Sequence, residues 1–436
     1  MFWNIMWSKI RISLALISSL FLFNEATAQY DQSSYSIIGL GSVNWGGYSH
    51  NAAMGGFGVS YGDRLFLNNG LNPALGALNL ESVFQMGGAI DGRQFTQGQT
   101  RNNSTTGGFK DFGLNLPIKL GKWNSGLSLS PYSAVNYGFV NRDEGGGPEG
   151  STTVVEVSGT GGIDKLSWTN SFRLKNLLLG IDAQFLFGSI QKEDLFFLEG
   201  ISQGGFGNSA VARRKSFHNL SFGLGAVYQL PLKEGSRLNI GGFYHPEIKM
   251  RQNTLATFEN QTQNGVAFST DTLVFDEADK KTVLVPQKFG FGISYEKIRA
   301  LTIGLDFLSQ DWSAYRDEDG AVDNAYGNSY RMVLGGSFVP NSEARTKLLS
   351  LTTFRFGFHY EQTPFLVNNE TIDDIGVSLG ASFPLNAFWG QAHLNFGATI
   401  GRRGSVSNSL VRENYFKIHF GFSLQDVTWF TRQRFN

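Results

Sequence analysis

The side chains best placed to do chemistry are Asp182, Asp306, Arg331, Arg355, His359, Glu361, His393, Lys417 and His419, each on the polar phase of a segment that alternates polar and apolar residues. Both signs of charge are present. An ion facing a confined interior needs a partner or water, so these groups either pair across a lumen and brace it, or bind a carboxylate head group and govern passage. Neighbouring segments supply opposite signs, which favours bracing. Catalytic patterns are weaker. Gly376-Val377-Ser378-Leu379-Gly380 fits a nucleophile elbow, but that motif needs a strand-turn-helix context, whereas Ser378 sits inside an alternating strand. The acidic runs Asp317-Glu318-Asp319 and Asp271, Asp276, Glu277, Asp279 read as solvated loops, because Tyr315 stands where a calcium loop needs its first carboxylate. Arg213-Arg214-Lys215 could meet anionic lipid heads or sugars and equally suits a solvated loop. The six histidines show no metal-ligand spacing, and the chain has no cysteine. No enzyme activity, cofactor or metal site is expected.

The elements that would position these residues have period two. Phe416, Ile418, Phe420, Phe422 and Leu424 alternate with Tyr415, Lys417, His419, Gly421 and Ser423. The same pattern recurs in 350–361 and 389–401. Soluble interiors rarely hold Arg, Lys, His and Asp opposite such aromatic stripes, whereas a membrane barrel turns its polar face to the lumen and its aromatic face to lipid. Strands are predicted near 82–95, 109–119, 124–139, 160–173, 176–190, 215–230, 237–249, 286–295, 300–311, 329–339, 350–361, 373–383, 389–401 and 414–425, an even set of fourteen. Connections alternate between tight turns such as Leu174-Lys175 and long polar stretches at 140–159, 191–214, 250–285 and 312–328. The expected fold is therefore all-β, a transmembrane antiparallel barrel with both ends on the periplasmic side.

Composition agrees. Gly 54 and Phe 38 beside Pro 10 suit a sheet protein with many tight backbone positions, and a formal net charge of zero gives no footing for nucleic-acid binding. Lys9 and Arg11 precede an apolar run from Ile12 to Phe23 and a small-residue site Ala26-Thr27-Ala28, so residues 1–28 are expected to be a signal peptide cut after Ala28. That run is too short for a membrane helix, which needs ~20 residues. Residues 29–80 lack alternation but carry Phe57, Tyr61, Leu65, Phe66 and Leu67. Such apolar surface predicts a hatch folded into the lumen ahead of a barrel over 81–425. Residues 426–436 are expected to form a periplasmic tail.

Three stretches carry a family resemblance. Ala53-Met54-Gly55-Gly56-Phe57-Gly58-Val59 and Asn69-Gly70-Leu71-Asn72-Pro73-Ala74-Leu75, directly before the first strand, resemble the FadL-type outer-membrane transporters of hydrophobic compounds. Asn72, Pro73 and Ala74 would be the hatch motif. Leu127-Ser128-Leu129-Ser130-Pro131-Tyr132-Ser133 is similar to the third strand of that family, which is kinked inward and opens a gap in the wall. Pro131 cannot donate to a ladder, so it marks either such a kink or merely the end of pairing. The ending Trp429-Phe430 followed by Arg432 and Arg434 resembles barrels of the Bacteroidetes-type branch, where FadL-like folds also serve as accessory subunits of secretion or assembly machines. The resemblance implies passive uptake of hydrophobic or amphipathic, fatty-acid-like small molecules by lateral diffusion into the bilayer. The alternative is a non-transporting barrel subunit of an envelope secretion or outer-membrane assembly complex. Expected partners are the lipid bilayer, a hydrophobic small molecule and other envelope proteins.

Overall fold

The computed structural model describes residues 31–62, 68–144, 151–199, 208–233, 235–262, 266–341, 348–387 and 390–426. The expected signal peptide, Leu65 to Leu67 and the tail from 427 lie outside the described residues. Fourteen antiparallel strands close into a barrel. They are β1 (Ser82–Gln97), β2 (Thr100–Lys119), β3 (Trp123–Glu144), β4 (Thr152–Leu174), β5 (Leu177–Glu199) and β6 (Asn208–Pro231). Next come β7 (Ser236–His245 and Ile248–Gln261) and β8 (Ala267–Val285 and Lys288–Lys297), followed by β9 (Leu301–Asp311) and β10 (Asn328–Phe338). The circuit ends with β11 (Thr353–Val367), β12 (Glu370–Ala387), β13 (Gly390–Arg403) and β14 (Arg412–Asp426). β14 closes on β1 from Arg412↔Thr96 to Asp426↔Ser82, which puts both barrel ends at one rim. β7 and β8 are each interrupted at a proline, Pro246 and Pro286, where the ladder loses a donor.

The burial is inverted relative to a soluble protein. On β9, Leu301, Ile303, Leu305 and Phe307 are exposed, Leu305 by 56%, while Thr302, Asp306 and Gln310 between them are buried. Apolar side chains out and charged ones in is the arrangement of a barrel whose outer solvent is lipid. No described helix is long and apolar enough to cross a membrane, and the fold is that of an outer-membrane β-barrel.

Three of the four long polar connections expected from the sequence are instead largely strand among the described residues. β3 runs to Glu144, β4 begins at Thr152, β5 and β6 extend to Glu199 and from Asn208, and β7 and β8 reach Gln261 and Ala267. Beyond the bilayer no apolar stripe is required, so the period-two signal fades while the hydrogen-bonded ladder goes on. Only the stretch after β9 remains irregular, as a turn of 3-10 helix (Trp312–Ala314) and isolated bridges. Asn368 and Asn369, both with positive φ (52° and 63°), make the two-residue hairpin turn between β11 and β12.

The described part of residues 31–80 lies inside the barrel and builds the core with it. One apolar cluster joins Tyr35 and Leu40 to Tyr132, Trp312, Tyr315, Tyr326 and Phe365 at the outer end. A second joins Met54, Phe57, Val59 and Tyr61 to Phe243, Leu308 and Val333 at mid-height. A third joins Ala74, Leu75 and Leu78 to Leu178 and Val227 at the periplasmic end.

Candidate functional site

The N-terminal segment is held by groups that the strands present without side chains in the way. Asn72 precedes a short 3-10 helix (Pro73–Leu78); its carboxamide oxygen accepts from Ala74 N at 3.0 Å, and its Nδ2 donates to the carbonyl of Val59 at 2.9 Å and those of Ala226 and Gly242 at 3.3 and 3.2 Å. Pro73, at the first helical position where no amide donor is missed, offers its carbonyl to Ser171 Oγ at 2.7 Å. A Cβ added at Gly225 would stand 2.2 Å from Asn72 Oδ1, and one at Gly180 would stand 2.3 Å from Ala74 N. Higher up, Gly357 faces Met54, where an added Cβ would sit 2.0 Å from its carbonyl carbon. Asp306 accepts from Gly58 N and Val59 N at 2.7 and 2.8 Å. Arg331 donates to the Gly55 carbonyl at 2.9 Å and pairs with Glu361 at 2.5 Å.

Above this lies a continuous ionic network. Arg93 on β1 meets Asp31 at 2.8 Å, Asp91 at 2.6 Å and Glu413 at 2.6 Å, all within the lumen. Glu413 also accepts from Ser33 Oγ at 2.9 Å, Ser34 N at 2.8 Å and Ser34 Oγ at 2.6 Å. Lys417 reaches Asp31 at 2.9 Å and Asp91 at 3.5 Å. Asp374 gathers Arg403 at 2.8 Å, Tyr415 Oη at 2.6 Å and His359 at 3.4 Å. Burial works to raise the Asp31 carboxyl, but Lys417, Arg93 and Arg403 outweigh it and hold it well below the usual carboxylate range. His50, on the same segment, is pushed well below 6.5 by burial and by Arg355 and Lys110.

Between network and segment is a cavity of about 140 Å³, lined by Asp31, Trp45, Lys110, Arg331, Arg403 and Lys417 among others. A smaller one of about 50 Å³ adjoins Tyr48, Asp111 and Asp182. Both fall below the ~300–1,000 Å³ of small-molecule sites, and each mixes charged and apolar side chains where such sites are mostly apolar.

The wall beside the larger cavity is incomplete. β2 and β3 pair only from Phe112↔Leu129 down to Lys119↔Trp123. Above that level β2 keeps β1 and β3 keeps β4, with a ladder irregularity between Pro131 and Ser133. Pro131 is thus inside a strand rather than at its end. The N-terminal segment covers the freed edge of β3: Ser42 and Val43 pair with Ala134 and Ser133, Asn44 N donates to the Tyr132 carbonyl at 2.8 Å, and Ser33 N donates to that of Asn136 at 3.1 Å.

A family model described as BamG matches residues 6–436. The chain belongs to the BamG family. No curated protein matches. Among solved structures, this BamG-family chain is similar to a Pseudomonas aeruginosa FadL homologue (15% identity, 87% of this chain and 98% of that one, TM-score 0.57). It is also similar to the deltaS2S3 mutant of the TodX monoaromatic hydrocarbon channel (14%, 88% and 99%, 0.58) and to the Ralstonia pickettii toluene transporter TbuX (14%, 87% and 98%, 0.50). At these identities the likeness is one of fold.

Of the residues singled out in the sequence, Arg331, His359, Glu361, Lys417 and His419 converge on the larger cavity. Asp306 ties down the segment, and Asp182 lies apart with Gln184, which donates to it, and His245. Arg355 donates to Ser382, which in turn bonds Asn395, and His393 is half-buried on β13 away from the cavity lining. Ser378 bonds Thr399 at 2.9 Å inside the sheet, and Thr399 in turn meets His419 Nε2 at 3.3 Å. The BamG-family network also uses Asp31, Asp91, Arg93, Asp374, Arg403, Glu413 and Tyr415, which sequence reasoning passed over. Tyr415 already stood on the polar phase of Lys417 and His419, and carrying that alternation one step further would have found Glu413. Asp31 had no such signal.

Proposed function

We propose that this BamG-family protein is a non-transporting barrel subunit: exported by its 1–28 leader, embedded in the outer membrane, and acting as a lipid-anchored scaffold for a larger envelope complex. The observation that carries this reading is the lumen. Residues of the 31–80 segment contribute to apolar clusters at both ends and at mid-height; the two cavities left between them, about 140 and 50 Å³, are small and lined partly by charge, and a larger one of about 500 Å³ lies below the plug at the periplasmic end, beside Leu78, Glu296 and Thr302. An apolar ligand would have to displace ion pairs whose rupture leaves uncompensated buried charge, each such loss costing about 3–5 kcal/mol. Residues 29–80 then serve as a fixed plug, with Asn72, Pro73 and Ala74 as its lower anchor, and the inward charges as its fastening. The family name BamG hints at the same assembly-related role.

A second reading is favoured by the opening between β2 and β3: passive uptake of a hydrophobic or amphipathic, fatty-acid-like molecule, with release sideways past Pro131 once the plug shifts. The known hydrocarbon channels of this fold support it by analogy. Proteoliposomes separate the two. The scaffold reading expects flux of a fluorescent long-chain fatty acid at the rate of protein-free vesicles, unchanged by Pro131→Ala. Flux well above that background and sensitive to Pro131→Ala would establish the uptake reading instead.

A further inference from the structure

The two edges of the wall opening are treated differently. The β3 edge is taken up by the chain's own N-terminal segment through Ser33, Ser42, Val43 and Asn44. The β2 edge from Thr100 to Asp111 pairs with β1 alone; no described residue forms a ladder on its other side. An antiparallel strand with one neighbour directs the N–H and C=O groups of alternate residues into open space, and folded proteins guard such an edge with charge, proline or a cover. Here Asn102, Asn103, Ser104, Thr105, Thr106, Gly107 and Gly108 carry no charge and no proline, and the strand is exposed or half-buried through this stretch.

We infer that the β2 edge from Asn102 to Gly108 is a docking site for an extended segment of another envelope polypeptide, added as a strand in the mouth of the opening. The occupant follows from the chemistry: only a polypeptide backbone supplies alternating donors and acceptors at ladder spacing, and small uncharged side chains on the edge leave room for those of the incoming strand. The site is continuous with an interface of the same kind, because Ser42 and Val43 already add a strand to the facing edge. This inference rests on the scaffold reading and specifies how the partner is held.

The test is photo-crosslinking in cells from a benzophenone amino acid placed at Asn103 or Thr105, with Leu379 on the lipid-facing wall as control, and mass-spectrometric mapping of the adducts. Expected are adducts from both edge sites, and not from Leu379, on neighbouring residues of one partner segment in antiparallel order. Thr105→Pro and Thr106→Pro remove amide donors on opposite sides of β2. The one on the opening side should keep heat-modifiable barrel migration and reduce the adduct at least tenfold, while the other disturbs the β1 ladder. Adducts only to lipid, to a second copy of this chain, or to scattered sites on many proteins would overturn the inference. So would a partner that crosslinks equally in both proline variants. A partner that co-purifies stoichiometrically yet gives no edge adduct would refute the edge docking and leave the scaffold reading standing.

Discussion

At the residue scale the account depends on buried charges being paired. Arg93 serves three carboxylates at once, so Arg93→Ala should destabilise the folded barrel by roughly 3–5 kcal/mol, because it strands Asp91 and Glu413 in the interior. Urea unfolding followed by tryptophan fluorescence in detergent reads this, and a loss under about 1 kcal/mol would contradict the network's role. His50 gives a pH dependence with a definite sign. Burial and the cations Arg355 and Lys110 keep its folded value well below 6.5, so the unfolded segment binds a proton that the folded one excludes. Its contribution is present above 6.5 and is lost as pH falls below that value, at up to ~1.4 kcal/mol per pH unit. Limited proteolysis of residues 45–60 should therefore quicken between pH 7.5 and 5.5, and His50→Gln should flatten the change. Most of this chemistry was legible wherever a charge shared a strand with an unbroken apolar stripe, as for Lys417 and His419. Asp31 was not, because its role arises from three-dimensional folding of a segment without periodicity.

At the scale of elements, glycine explains how the segment fits. The strands approach it so closely at Gly180, Gly225 and Gly357 that a methyl group would overlap its backbone or the Asn72 side chain. Gly357→Val should leave the barrel able to form, since valine favours strands, but expel the Met54 turn. The expected result is native heat-modifiable migration with a new protease-sensitive site between Ala52 and Gly62; unchanged protection would show that the segment does not pack there. The strands themselves were readable, all fourteen, because lipid imposes a stripe on each. Their outer extensions were not, since water on the outside imposes none, and the 250–285 stretch that looks like a polar loop is largely β7 and β8. Pro131 announced an irregularity and the family resemblance implied a gap in the wall there; the level at which β2 parts from β3, above Phe112 and Leu129, was not legible.

For the whole molecule, the register of β14 on β1 fixes the topology. Single cysteines at Gly98, in the β1–β2 turn, and at Lys122, in the β2–β3 turn, should label from opposite faces of intact outer membranes with an impermeant maleimide. Labelling from one face would refute the strand arrangement. The composition makes sense at this scale as well: glycine admits the plug, phenylalanine faces lipid, and acids and bases are equal in number over the whole chain. What the barrel does with a filled lumen was open between two readings in the sequence, and the fold it shares with hydrocarbon channels does not choose between them. The choice rests on the cavities between plug and ionic network, which are small and lined partly by charge. The most direct test is purification of the native protein from its own membranes in a mild detergent, with mass spectrometry of both the co-purifying polypeptides and the extracted small molecules. The scaffold account predicts a stoichiometric partner set and no bound apolar ligand, whereas a single protein carrying a hydrophobic molecule would contradict it.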